Sequence, residues 1–139
     1  MENLKINHAA VWVIVILLHV LGFVWYGPLL GEKWMSLVGL DAAVVEANPP
    51  GLGIWITNLV ATVVPTYTMA WLFTKLNIES AGQGAMTGLV IAFSFNFLSR
   101  MTSNLFAQAP YELSWITGGF DLVAMTLAGL ILGVWRKYG

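Results

Sequence analysis

Arg100 and Asp121 stand inside long apolar stretches of a chain with almost no other interior charge. A charge near the centre of a bilayer costs about 2.5–3.5 kcal/mol on insertion scales, so such groups face a partner or a water-filled cavity. Arg100 lies ten residues before Pro110 and Asp121 eleven after it. If a turn at Pro110 joins two antiparallel helices, both residues lie ~10 Å or more from the helix ends, at 1.5 Å per residue. They are therefore expected to pair. The structural reading is an ion pair that locks a helical hairpin; the functional one is an ion or proton site in a pore. In a third reading, Arg100 snorkels to the interface.

Uncharged polar residues form two stripes. Asn96, Arg100 and Ser103 follow one another at spacings of four and three, with Ser99 and Asn104 beside them, and Asn58, Thr62 and Thr66 are each four apart. Helix faces of this kind either bond neighbouring helices, at ~0.6 kcal/mol per bond, or line a hydrated path. Together the two stripes suggest a polar seam through a bundle. His8 and His19 are eleven residues apart, ~16 Å along a helix, too far for one metal ion or one haem iron. Each could serve separately as an axial ligand, His19 being the intramembrane candidate, but the plainer reading of either is a hydrogen-bonded ring. The sequence has no HExxH, GxSxG, Gly-rich phosphate loop or paired-carboxylate arrangement. No catalytic residue, metal site or cofactor is expected, and the chain is not read as an enzyme. With no cysteine, thiolate and disulfide chemistry are excluded.

The elements that must position these groups follow from composition. The chain has 139 residues, 58% hydrophobic and only 9% charged, with a mean hydropathy of +0.78. A soluble domain carries about a quarter charged residues, so this chain cannot cover a water-facing surface, and it lacks the basic patch of a nucleic-acid binder. At ~20 residues per span the length suits four spans in a single membrane domain over 1–139. They are placed at about 9–30, 51–74, 82–107 and 113–135. The first is too long for a signal-peptide core and is expected to be retained. In the second, Pro65 cannot donate to the Ala61 carbonyl, so a kink is expected, with nearby threonines satisfying the freed group. Between the first two spans, Trp34, Leu37, Val38, Val44 and Val45 recur at helical spacing among charged residues, which predicts a short amphipathic interfacial segment. The fold expected is an all-α integral membrane four-helix bundle.

If both termini share one side, that side holds Lys5, Lys75, Arg136 and Lys137 against Lys33 alone opposite, which favours cytoplasmic termini. Gly27/Gly31, Gly84/Gly88 and Gly129/Gly133 recur at four-residue spacing and allow close helix approach. One of the last two pairs is expected inside the subunit and the other between subunits of a homo-oligomer. Membrane lipid is the expected surrounding partner, and nucleic acid is not.

The stretch WYGPLLGEKWMSLVGL, residues 25–40, carries Trp25, Tyr26, Pro28 and Trp34. It resembles the signature of a bacterial membrane family known as domain of unknown function 1761, in which Trp-Tyr-x-Pro-Leu precedes Gly-x-x-Trp-Met. The end of the chain is similar as well: Asn104-Leu105-Phe106, a short turn, then a small-residue-rich helix closing at Gly133-Val134-Trp135. The resemblance covers nearly the whole chain. It implies four spans and brings no activity. Where that family often has an aromatic residue in the last helix, this chain has Asp121. From the residues themselves, the functional expectation is a small channel or transporter component of the bacterial inner membrane, with an ion or small molecule as substrate. The alternative is a non-catalytic structural or lipid-associated subunit.

Overall fold

The computed structural model describes residues 3–139. Its helices are α1 (His8–Leu29), α2 (Gly31–Val38), α3 (Ala42–Ala47), α4 (Leu52–Lys75), α5 (Ala81–Phe106) and α6 (Tyr111–Val134). The long four, α1, α4, α5 and α6, are apolar and long enough to cross a membrane. Their outer faces keep Ile16, Val60, Phe95 and Val134 exposed, the pattern of a bundle solvated by hydrocarbon.

Two short strands, β1 (Leu4–Lys5) and β2 (Lys137–Tyr138), pair antiparallel and bring the ends of the described chain together. Asn7 reinforces this closure. Its Oδ1 accepts from the Ala10 N–H, capping α1, while its Nδ2 donates to the Trp135 carbonyl. The condition on which the count of basic residues rests, that both ends lie together, is met by the described residues. The main core lies at this end, where Val11, Ile14 and Val15 of α1 meet Met69 and Phe73 of α4 and Ala128 and Leu132 of α6.

Helices α5 and α6 form the closest pair, joined by a glycine seam. A Cβ on Gly84 would overlap the Gly129 carbonyl, one on Gly129 the Gly84 carbonyl, one on Gly88 the Met125 carbonyl, and one on Gly133 the Ser80 carbonyl. Both glycine pairs are consumed by this one intramolecular contact. That corrects the expected division between a subunit interior and a subunit interface.

α4 packs unevenly. Thr66, Met69, Ala70 and Phe73 are buried, whereas every residue from 52 to 61 is exposed. Pro65 marks the change. The threonines do not serve Ala61 as expected: Thr62 donates to the Asn58 carbonyl, Thr66 to Thr62 and Thr68 to Val64, each bond closing four residues back.

The connection after α1 is a built corner. Pro28 has no N–H to give the Val24 carbonyl, so the last turn of α1 widens over Trp25–Leu29, with Gly27 at φ −111°, ψ −107°. The Leu30 N–H closes that turn on the Trp25 carbonyl at 2.9 Å. The amphipathic segment that follows is divided into α2 and α3, because Gly39 at φ 74° ends α2 and Asp41 caps α3 through the Ala43 N–H.

Candidate functional site: a cavity beside α4

Where the first half of α4 stands away from the bundle, a cavity of about 500 Å³ is left. Its polar wall comes from four helices: His19 of α1, Asn58, Thr62 and Thr66 of α4, Asn96 of α5 and Asp121 of α6. Phe23, Tyr26, Trp55 and Phe120 supply aromatic surface. Along α1 the lining runs from Gly27 back to Leu18, and along α4 from Ile54 to Thr66, with Pro50 at the mouth-side connection. Beyond Leu18 and Thr66 the apolar core fills the bundle. The cavity therefore reaches about half-way through.

Arg100 and Asp121, expected to pair from their depth, do so: Arg100 Nε donates to Asp121 Oδ2 at 2.6 Å. The partners are not equivalent. The Asp121 side chain is 13% exposed and forms cavity wall, while that of Arg100 is 52% exposed and does not line the cavity.

The α5 stripe begins at a local distortion of the helix. The turn Ala92–Phe97 is π-helical, the Leu98 N–H reaching back to the Phe93 carbonyl. One extra residue in a turn rotates everything after it by about 100° relative to a regular helix. Phe97 is thereby seated on Gly118, where a Cβ would meet its ring, and packs edge-on against Trp115 with centroids 5.1 Å apart. Of the stripe, Asn96 lines the cavity and Arg100 binds its wall from outside, whereas Ser103 is exposed and does not line it. Asn104 instead bonds Ser114 across the hairpin at 3.1 Å.

The two histidines occupy separate settings. His8 Nδ1 lies 2.9 Å from the Tyr67 hydroxyl, outside the cavity. His19 Nδ1 lies 2.7 Å from the Val15 carbonyl. A carbonyl only accepts, so Nδ1 carries the hydrogen, and in the neutral ring Nε2 is left as a lone pair. Among the described residues no group of three or more His, Asp or Glu is placed to hold a metal ion.

The residues of the WYGPLLGEKW motif build one wall. Trp25 Nε1 donates to the Ile116 carbonyl at 2.9 Å, and its ring lies edge-on to Phe120. Tyr26 packs on Phe120 and, edge-on, against Trp34 of α2. Gly31 is required because a Cβ there would overlap the Tyr26 carbonyl. Pro28 widens the turn that sets these rings. Sequence reasoning singled out this motif without its task, and it missed Phe23, Trp55 and Phe120. Their apolar character gave no signal separating a cavity wall from a lipid-facing ring.

Four apolar helices around a half-depth cavity with a carboxylate on its wall define a small helical protein of membrane-spanning type whose largely apolar cavity carries a few polar groups. The profile of the family described as protein of unknown function (DUF1761) matches residues 9–133, and the chain belongs to that family. No curated protein and no solved structure matches it.

Proposed function

We propose that the chain is a small transport component of a bacterial cytoplasmic membrane that receives its cargo in the cavity beside α4. One observation carries this reading: side chains distant in sequence, Asn58, Thr62 and Thr66 with Asn96 and Asp121, converge on a single chamber. Buried polar groups that served only as interhelical glue would be expected to bond one another. Here Thr62 and Thr66 turn their hydroxyl hydrogens back on their own helix and leave their oxygens towards the chamber. A chamber sealed at one end by packed side chains suits one state of a carrier better than an open pore.

The role is binding and passage rather than catalysis. Lysine and arginine placement favours cytoplasmic termini. The exposed half of α4, residues 52–61, is where lipid or a second copy in a homo-oligomer would lie. The rival reading, a structural or lipid-associated subunit, draws on the Arg100–Asp121 pair and the glycine seam as purely architectural devices. Reconstituted liposomes with pH- or potential-sensitive dyes separate the two. Under the transport reading Asp121→Asn alters flux while the protein still folds, since asparagine keeps an oxygen for Arg100. Under the rival, wild-type liposomes carry no flux and the substitution shifts only stability. Silence for protons, sodium, potassium and chloride would remove inorganic ions as cargo.

A further inference from the structure

We propose that the cavity binds a lipophilic ammonium ion, an N–H-bearing cation carried on an apolar or aromatic body. This deepens the transport reading and rests on it for its biological meaning, although binding itself is measured independently.

Sorting the polar wall by hydrogen-bond sense points to this ligand. Asp121 is an acceptor only; Oδ2 takes the Arg100 N–H, and Oδ1 takes no hydrogen bond from the described residues. His19 has given its Nδ1 hydrogen to Val15, and its neutral ring offers a lone pair at Nε2. Thr62 and Thr66 have given their hydrogens to backbone carbonyls and offer only oxygen lone pairs. Pro65 also deprives the Ala61 carbonyl of its helical donor, and Ala61 is on the cavity wall. The side-chain donors are the amides of Asn58 and Asn96, the hydroxyl of Tyr26 and the indole N–H of Trp55, and all but the indole also bring an acceptor. A ligand without hydrogens to donate would leave most of this wall unpaired, which is costly in a low-dielectric site.

Charge selects further. The ion pair is neutral as a whole, but it presents its carboxylate to the cavity and keeps its guanidinium outside. A cation beside Asp121 is closer to the negative partner and is attracted; an anion is repelled. Phe23, Tyr26, Trp55 and Phe120 bring aromatic surface to the cavity, suited both to a cation and to its apolar body. A volume of about 500 Å³ falls in the range of small-molecule sites. Access from the hydrocarbon explains why the body should be lipophilic. A shallow apolar groove of about 340 Å³, lined by Trp12, Ile16, Val20 and Leu59, shares His19 and Phe23 with the cavity.

The test uses the full chain in lipid nanodiscs, empty discs as the blank, and three probes with one body: 4-phenylbutylammonium, 4-phenylbutanol and 4-phenylbutanoate. Trp55 on the wall reports occupancy by fluorescence, and Trp55→Phe identifies its share of the signal. Saturable binding of the ammonium is expected, about tenfold or more tighter than the alcohol or the carboxylate. Asp121→Asn should remove about that same factor for the ammonium and leave the alcohol unchanged. Thr62→Val leaves the ion pair intact and should weaken the ammonium a few-fold, so the proposal is decided even if Asp121→Asn does not fold. Equal binding of the three probes, or no saturable ammonium binding by wild type, overturns it. Amine binding without any flux in liposomes would sink the transport reading and keep the site. Ion flux without amine binding would do the reverse.

Discussion

Arg100 reaches Asp121 from outside the cavity, placing a half-exposed guanidinium behind a carboxylate that is part of the cavity wall. The two ends of this bond are therefore unequally dependent on each other. Removing Arg100 leaves the less exposed charge without its partner, whereas removing Asp121 leaves a guanidinium that already has access to the surroundings.

Arg100→Ala is accordingly expected to lower thermal stability in detergent more than Asp121→Ala does. In the double variant part of the loss should be recovered, with a coupling of about 0.5–2 kcal/mol, the lower part of the usual range because Arg100 is half-exposed. A thermal-denaturation cycle of the four proteins measures it. Strict additivity of the two single effects would show that the bond does not stabilise the fold.

The glycine seam predicts sharp position dependence. Gly84→Ala, Gly88→Ala and Gly129→Ala each place a methyl group against backbone of the facing helix, which cannot swing aside as a side chain can. Each should destabilise by about 1–3 kcal/mol, the usual cost of overpacking. Gly53→Ala and Gly82→Ala meet nothing within 4 Å and should be silent. Melting temperatures of the five variants decide this. If seam variants fold as well as wild type and only change subunit number by native mass, the seam lies between chains after all.

The helices were legible because bilayer thickness imposes one length on every span, and an apolar run of that length suits little else than a span. Depth symmetry about Pro110 was equally legible and led to the Arg100–Asp121 bond. Phase was not. Nothing in Ala92–Phe97 announces the extra residue in its turn. Partner choice was also hidden in the glycines: periodicity locates a close approach but not which helix approaches, and Gly84 and Gly129 proved to face each other. The cavity arises from an absence of packing along the first half of α4, and an unfilled space leaves no residue pattern of its own.

The corner at the end of α1 can be tested through Trp25. Its indole N–H donates to the Ile116 carbonyl, and its ring covers Gly119 and meets Phe120. Trp25→Phe keeps most of the ring surface but removes the hydrogen bond, so a loss of about 1 kcal/mol is expected. Trp25→Ala also removes the packing, for about 3–5 kcal/mol. Tyr26 stands next to Trp25 and lines the cavity, so Trp25→Ala should also weaken any ligand held there. Thermal melts with and without 4-phenylbutylammonium separate the two effects. Identical melts for wild type and Trp25→Phe would mean that the bond to Ile116 adds nothing.

The orientation expected from the placement of basic residues can be tested directly. The β1–β2 pairing puts Lys5 and Lys137 on one side of the bundle, and the Tyr138 hydroxyl comes within 3.5 Å of Glu79, beyond the end of α4 where Lys75 lies. Arg136 is on that side too. Its Nη1 donates to the Leu132 carbonyl at the end of α6, while burial of its guanidinium pulls its pKa below the ordinary arginine value against the opposing pull of Tyr138 and Glu79. It serves partly as a cap. At the opposite end Lys33 is bound to Glu112 at 2.8 Å. The count is therefore the three lysines Lys5, Lys75 and Lys137 together with Arg136 against Lys33 alone, which favours retention of the terminal side in the cytoplasm. Reporter fusions after Gly139 and within residues 78–80 should give cytoplasmic signals, and a fusion within 41–48 an external one. Changing the three lysines to glutamine should then produce mixed orientation. A uniformly external signal from Gly139 in the wild-type chain would reverse the assignment.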